Sequence, residues 1–202
     1  ELPREDWMKI KQKCDEENII FLSTPENISD LKFLMELGMK AIKIGSDDFT
    51  NISMIKKFSE TKLPIIVSCG MSDMDDIKTT ISEINNKKAY PLILMFTTSQ
   101  YPVPDEDVNM LKLKTIRDEF RDIILGYSDH TQGSIASTLA ITLGAKVFEK
   151  HFTIDKNLPG PDHWFSALPD ELKEWNKSIK RSWIMLGNNE VKPTINELKN
   201  KK

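Results

Sequence analysis

The sequence is poor in cysteine. Cys14 and Cys69 are the only 2 in 202 residues, and they stand far apart. That spacing excludes a disulfide framework and a Cys-based zinc or redox motif. Two isolated thiols suit a reducing compartment, so the expected location is cytoplasmic. No apolar run approaches the ~20 residues that cross a bilayer, so no membrane partner is expected. The opening residues, Glu1 to Asp6, are charged rather than apolar, and no signal peptide is expected. Neither sign of charge dominates: 28 Lys and Arg face 31 Asp and Glu, a net −3. A balance that close gives no electrostatic reason to bind nucleic acid or acidic lipid. No Gly-rich dinucleotide fingerprint and no phosphate-loop motif occurs.

What remains, 39% hydrophobic and 29% charged, suits one globular domain with a real core. Short apolar runs recur: Ile19–Leu22, Ala41–Ile44, Pro64–Val67, Leu92–Phe96, Ile123–Leu125 and Lys146–Phe148. They are short and rich in β-branched residues, which predicts buried parallel strands. The stretches between them predict helices. Met74, Ile77, Ile81 and Ile84 keep helical spacing behind the candidate caps Ser72 and Asp73. Leu31, Leu34 and Met35 precede a Gly38 stop. Pro104 and Asp105 open a helix carrying Val108, Leu111 and Ile116. Ile135, Leu139 and Leu143 form a stripe before Gly144, and Leu172, Trp175, Ile179 and Leu186 form another after Pro169. A further helix, Trp7 to Glu17, stands in front. This strand–helix rhythm predicts an α/β fold with a parallel sheet. Periodicity alone leaves an open doubly wound sheet and a barrel equally available.

In either architecture chemistry collects at the carboxyl ends of the strands. Every predicted end carries hydroxyls: Ser23-Thr24, Ser46, Ser68, Thr97-Thr98-Ser99, Ser128 and Thr153. They can donate to an anionic ligand or simply cap the following helices. Lys43 interrupts an apolar strand, on the face opposite Ile42 and Ile44. A buried ammonium needs a counter-charge, either a bound anion or a carboxylate such as Glu149. The only histidines are His130, His151 and His163. His130 and His151 end adjacent strands, where two imidazoles can hold a divalent metal or serve as hydrogen-bonded structure.

Two stretches point to a family. They are Gly126-Tyr127-Ser128-Asp129-His130-Thr131, and Glu149-Lys150-His151-Phe152-Thr153 followed by Pro159-Gly160-Pro161-Asp162-His163. They closely resemble the sialic acid synthase family, which includes synthases of N-acetylneuraminic, legionaminic and pseudaminic acids. Ser23-Thr24-Pro25, Lys43-Ile44-Gly45-Ser46, Ser68-Cys69-Gly70-Met71 and Tyr101-Pro102-Val103-Pro104 agree in order and spacing. The resemblance implies a (β/α)8 TIM barrel, with the predicted strands as the third to eighth and no counterpart of the first two. It implies a partial catalytic domain over residues 1–190. Residues 191–202 would begin a linker to an antifreeze-like domain that the sequence does not contain.

The resemblance also implies a site. His130 and His151 match the histidines that hold a divalent metal, usually Mn²⁺, with Mg²⁺ or Co²⁺ as other candidates. Thr24, Lys43, Ser46, Ser68, Ser99 and Ser128 match positions around phosphoenolpyruvate. Tyr101 and Asp162 match residues near the amino sugar, and Asp48 stands where the family usually carries Glu. The implied reaction joins phosphoenolpyruvate to an N-acylated amino sugar by metal-dependent condensation, in a protein that is a homodimer at full length. Residues 1–202 alone are expected to lack turnover. Two rival readings remain at this stage. One is a pyruvate-dependent aldolase using Lys43 or Lys150 as a Schiff-base amine, and the other is an inert sugar-binding fragment.

Overall fold

A computed structural model describes residues 2–86 and 91–201. Glu1 and Lys202, the outer limits of the expected domain and linker, lie outside the described residues. The sheet contains β1 (Ile42–Ile44), β2 (Ile65–Ser68), β3 (Leu92–Phe96), β4 (Ile124–Asp129) and β5 (Val147–Lys150). These strands lie side by side in chain order and every pair is parallel. Parallel neighbours cannot be joined by a tight turn, so a crossover must separate them. Helices supply it: α3 (Ile52–Ser59), α4 (Met74–Asn86), α5 (Asp105–Val108) with α6 (Leu111–Glu119), and α7 (Ile135–Thr142). Before the sheet come α1 (Arg4–Glu16) and α2 (Ile28–Glu36). After it come α8 (Pro169–Leu186) and the short α9 (Ile195–Leu198). The result is a five-stranded α/β half-barrel.

Strand alternation divides the sheet into two faces. Ile42, Ile44, Ile65, Val67, Leu94, Leu125 and Tyr127 are buried against the helices, where Ile55, Phe58, Ile77, Ile84, Leu113 and Ala140 complete the core. By register the opposite face carries Lys43, Ile66, Ser68, Ile93, Met95, Ser128 and Glu149. At two helix starts side chains fix where the helix begins. Asn27 Oδ1 accepts from the Ser29 and Asp30 amides at α2, and Asp73 Oδ1 from the Asp75 and Asp76 amides at α4. Of the two predicted caps for α4, Asp73 therefore does the capping. Gly38 ends α2 with φ at +91°, the left-handed region where a side chain would be strained.

Three expectations need correction. The run Ile19–Leu22 forms no strand. Phe21 is buried and meets Trp7 edge-on at 6.2 Å, but Ile20 is 74% exposed and its neighbours Ile19 and Leu22 are exposed too. Composition marks these residues as strand formers, but a strand also needs a hydrogen-bonded neighbour, and β1 pairs only with β2 among the described residues. The helix predicted from Pro104 is two helices, because Asn109 takes a left-handed φ of 46° between them and leaves Leu111 exposed. In α7 the buried face is Ala136, Ser137, Ala140 and Ile141, while Ile135 is 74% exposed. Small side chains on that face let α7 approach β4 and α8 closely, which the larger predicted stripe would prevent.

Beyond α8 every described residue from 187 to 201 is exposed. Among the described residues no helix is long and apolar enough to cross a membrane.

Candidate active site

At the carboxyl ends of the strands a cleft of about 410 Å³ opens on the inner face of the sheet. Lys43, Ser46, Ser68, Ser99, Tyr101, Ser128, His130 and His151 all line it. Of the predicted site residues, Thr24, Asp48 and Asp162 do not. Thr24 is exposed, on the segment that forms no strand. Asp48 is drawn into the turn before α3, where its Oδ1 accepts from the Asn51 side-chain amide at 3.1 Å. Its neighbour Asp47 lines the cleft instead. Asp162 sits at the rim, its Oδ2 3.6 Å from His151 Nδ1.

The floor is built on β1 and β2. Lys43 Nζ donates to Ser68 Oγ at 2.8 Å and to the Ile44 carbonyl at 3.2 Å, with Glu149 Oε2 3.7 Å away. Burial pulls the ammonium below the usual lysine range, and the carboxylates of Glu149 and Asp47 oppose that pull. Both alternatives for its counter-charge are therefore visible: Glu149 is near, yet the hydroxyls around Lys43 leave room for an anion. The Gly70 amide donates to Ser46 Oγ at 3.1 Å. A Cβ at Gly70 would overlap Ser99 Oγ and meet Ser46 Oγ at 2.8 Å, so only glycine fits between these two serines. Ser99 Oγ is buried and has no hydrogen-bond partner within the protein. A buried hydroxyl left unpaired is costly, and a ligand oxygen would satisfy it.

The wall is built on β4 and β5. Thr98 O can only accept, so His130 Nδ1 carries the proton and donates to it at 2.8 Å. Burial, reinforced by His151 and opposed by the Thr98 carbonyl, keeps the imidazole below the usual histidine range. The ring is then neutral, and its Nε2 lone pair faces Ser128 Oγ at 3.3 Å. Ser128 spends its own proton on Glu149 Oε1 at 2.7 Å. No proton lies between Nε2 and that oxygen, so the nitrogen is free for a cation or a ligand proton. The His151 ring lies 5.2 Å from that of His130, centroid to centroid. Tyr101 packs on His130 at 4.3 Å, and Phe165 on His151 at 4.9 Å.

Among the described residues no cluster of three or more His, Cys, Asp or Glu could hold a metal. His130 and His151 could offer two imidazoles to a metal whose other positions belonged to water or ligand. His163 stands apart, its Nδ1 2.7 Å from Thr153 Oγ1. Lys150 faces away from the cleft, with its Nζ 3.4 Å from Asp129 Oδ2. Sequence reasoning missed Asp47, and took Glu149 only as a partner for Lys43. The signal for Glu149 was present, since it stands two residues before His151 and therefore shares its face.

The NeuB family model matches residues 1–191. The N,N'-diacetyllegionaminic acid synthase of Legionella pneumophila is 40% identical over 202 residues, covering 98% of this chain and 56% of that protein. Human N-acetylneuraminate-9-phosphate synthase is 33% identical, covering 89% and 50%. The crystal structure of N-acetylneuraminic acid synthetase from Leptospira borgpetersenii, in complex with citrate, superposes with a TM-score of 0.91 at 31% identity. It covers all of this chain and 70% of that one. The chain spans about half the length of the curated relatives it matches. It belongs to the NeuB family, the sialic acid synthase family that its motifs resemble.

Proposed function

We propose that this chain carries the catalytic centre of an enzyme that condenses phosphoenolpyruvate with an N-acylated amino sugar. The acceptor is N-acetylmannosamine or a 2,4-diacetamido-trideoxyhexose, and the products are a nonulosonic acid and phosphate. In the complete protein the five strands would be part of an eight-stranded barrel in a cytoplasmic homodimer. The observation that carries the reading is the buried Lys43–Ser68 pair beside the orphaned Ser99 hydroxyl, facing two imidazoles across one cleft. Relatives named as synthases of N,N'-diacetyllegionaminic acid, N-acetylneuraminate 9-phosphate and pseudaminic acid support it.

Lys43 and the hydroxyls of Ser46, Ser68 and Ser99 hold the anionic groups of phosphoenolpyruvate by charge-assisted hydrogen bonds. Its C3 then lies toward the histidines. His130 and His151 would hold a divalent cation, with Mn²⁺ the first choice, which supplies Lewis-acid polarisation of the open-chain sugar aldehyde. Tyr101 and Phe165 pack against the two imidazoles and hold their rings in place. C3 attacks the aldehyde carbon, water adds at C2, and the C2–O bond breaks to release phosphate. Tyr101 stays protonated throughout, since burial and then the nearby carboxylates of Asp162, Asp47 and Glu149 push its hydroxyl above the usual phenol range.

The Schiff-base alternative gains nothing from the geometry. Lys43 is engaged with Ser68 and the Ile44 carbonyl, and Lys150 lies on the other face of the sheet. The test is turnover by the complete gene product with phosphoenolpyruvate, each candidate sugar and Mn²⁺. One phosphate released per sugar consumed, with loss of activity in chelator, is the expected result. Borohydride trapping of pyruvate on a lysine would overturn it.

A further inference from the structure

Directly behind the two imidazoles, on the helix side of the sheet, lies a second pair of side chains. β4 and β5 run with Asp129 opposite Lys150, and the next residue along each strand is a cleft histidine. Successive residues face opposite ways. Asp129 and Lys150 therefore point toward α7 and α8, while His130 and His151 point into the cleft. Asp129 is only 1% exposed. Its Oδ1 accepts from the Thr131 amide at 2.9 Å and the Thr131 hydroxyl at 2.7 Å. Its Oδ2 accepts from the Ser137 hydroxyl at 2.5 Å and the Trp175 indole N–H at 3.0 Å, with Lys150 Nζ at 3.4 Å. Lys150 also donates to the Thr131 carbonyl at 2.8 Å and lies 5.8 Å from the Trp175 ring. A carboxylate has about four lone-pair sites, and these donors fill them.

Stability alone is a poor explanation for such a cluster. Desolvating two charges offsets most of their attraction, and well-packed apolar residues would serve as well or better. What a saturated ion pair does that apolar packing does not is fix position. Four elements meet on Asp129: β4 through the residue itself, β5 through Lys150, α7 through Ser137 and α8 through Trp175. We propose that Asp129 and Lys150 are a positioning pair that sets, from behind, the separation and tilt of the His130 and His151 rings. The proposal rests on the cleft being the active site and adds to it residues that touch no substrate.

Two variants test it. Asp129→Asn keeps the shape but turns one acceptor into a donor facing other donors. Trp175→Phe keeps an aromatic ring and removes a single N–H, so it tests the pair even where Asp129→Asn does not fold. The readouts are kcat and both Michaelis constants of the complete gene product, and the ring signals of the three histidines in ¹⁵N-histidine-labelled protein. For Asp129→Asn we expect kcat to fall about 10- to 100-fold, the range for loss of a partner that orients a ligand. Trp175→Phe should show the same effect more weakly. The Michaelis constant for phosphoenolpyruvate should stay close to the parent value, because its Lys43 floor lies on other strands. His130 and His151 signals should move in both variants while His163 stays put. Unchanged ring signals in folded protein, or a kcat loss that only follows the unfolded fraction, would overturn the pair. A parent without turnover but with the expected ring shifts would sink the activity assignment and leave the pair standing.

Discussion

The two faces of the sheet are both polar at the carboxyl ends of β4 and β5, and they are polar in opposite ways. Behind the sheet the Asp129 carboxylate is saturated by donors of the protein itself. Inside the cleft Ser99 Oγ has no partner, and His130 Nε2 faces an oxygen with no proton between them. Among the described residues two buried hydroxyls are unpaired, Ser59 in the core of α3 and Ser99, and only Ser99 lines the cleft, where a ligand can reach it. Single substitutions on each face can break or sharpen this contrast.

The largest effect is expected at His130. His130→Ala should lower kcat by more than about 100-fold, beyond the usual loss from removing a ligand's supporting partner. Full metal-dependent activity in that variant would remove the histidine pair from the mechanism. Lys43→Met comes next. Losing a charge-assisted hydrogen bond of about 1.5–3 kcal/mol should raise the Michaelis constant for phosphoenolpyruvate about 10- to 100-fold, and that for the sugar far less. An unchanged phosphoenolpyruvate constant would place the anion elsewhere.

The third comparison sets one serine against another. Ser137→Ala strips a donor from the buried Asp129 and should cost about 1–3 kcal/mol in denaturant unfolding. Ser99→Ala removes a hydroxyl that pairs with nothing in the protein and should change stability by less than about 0.5 kcal/mol. Ser99→Ala should nonetheless weaken phosphoenolpyruvate binding. Equal stability losses in the two variants would erase the distinction between the faces. The smallest effect concerns the cysteines. Burial pushes the Cys69 thiol up to about 12, so almost no thiolate forms at pH 8. Cys14 is partly exposed. A thiol reagent should therefore label Cys14 in the folded protein and reach Cys69 only after denaturation. Equal labelling rates in native protein would show that the strand end opens readily.

Much of this was legible in the residues. Lys43 stood out because a charge inside an apolar strand must face something other than core, and it does. His130 and His151 were brought together by neighbouring strands, as their matching positions required. The failures are of two physical kinds. Composition could not reveal that Ile19–Leu22 lacks a strand partner, because a hydrogen bond depends on a second segment and not on the run itself. Apolar spacing in α7 pointed to Ile135 and Leu139, whereas close approach of β4 and α8 selected the small face with Ala136 and Ala140. Of the adjacent carboxylates Asp47 and Asp48, the resemblance pointed to Asp48. The turn before α3 decided between them, giving Asp48 to Asn51 and Asp47 to the cleft.

The strict chain order of the sheet has a consequence for how the molecule is made. Each strand pairs with the one preceding it in sequence, and paired residues lie from 21 positions apart, as in Gly126 and Val147, to 31 apart, as in Ile93 and Ile124. No strand has to be threaded between two already placed. Synthesis from the amino terminus can therefore add one strand and one helix at a time to a growing edge, closing only short loops at each step. His151 lies on the last of these additions, while Lys43 lies on the first. Among these five strands, the two ends of the cleft are thus the first and the last to emerge. The anion floor can form on a nascent chain well before the histidine pair exists.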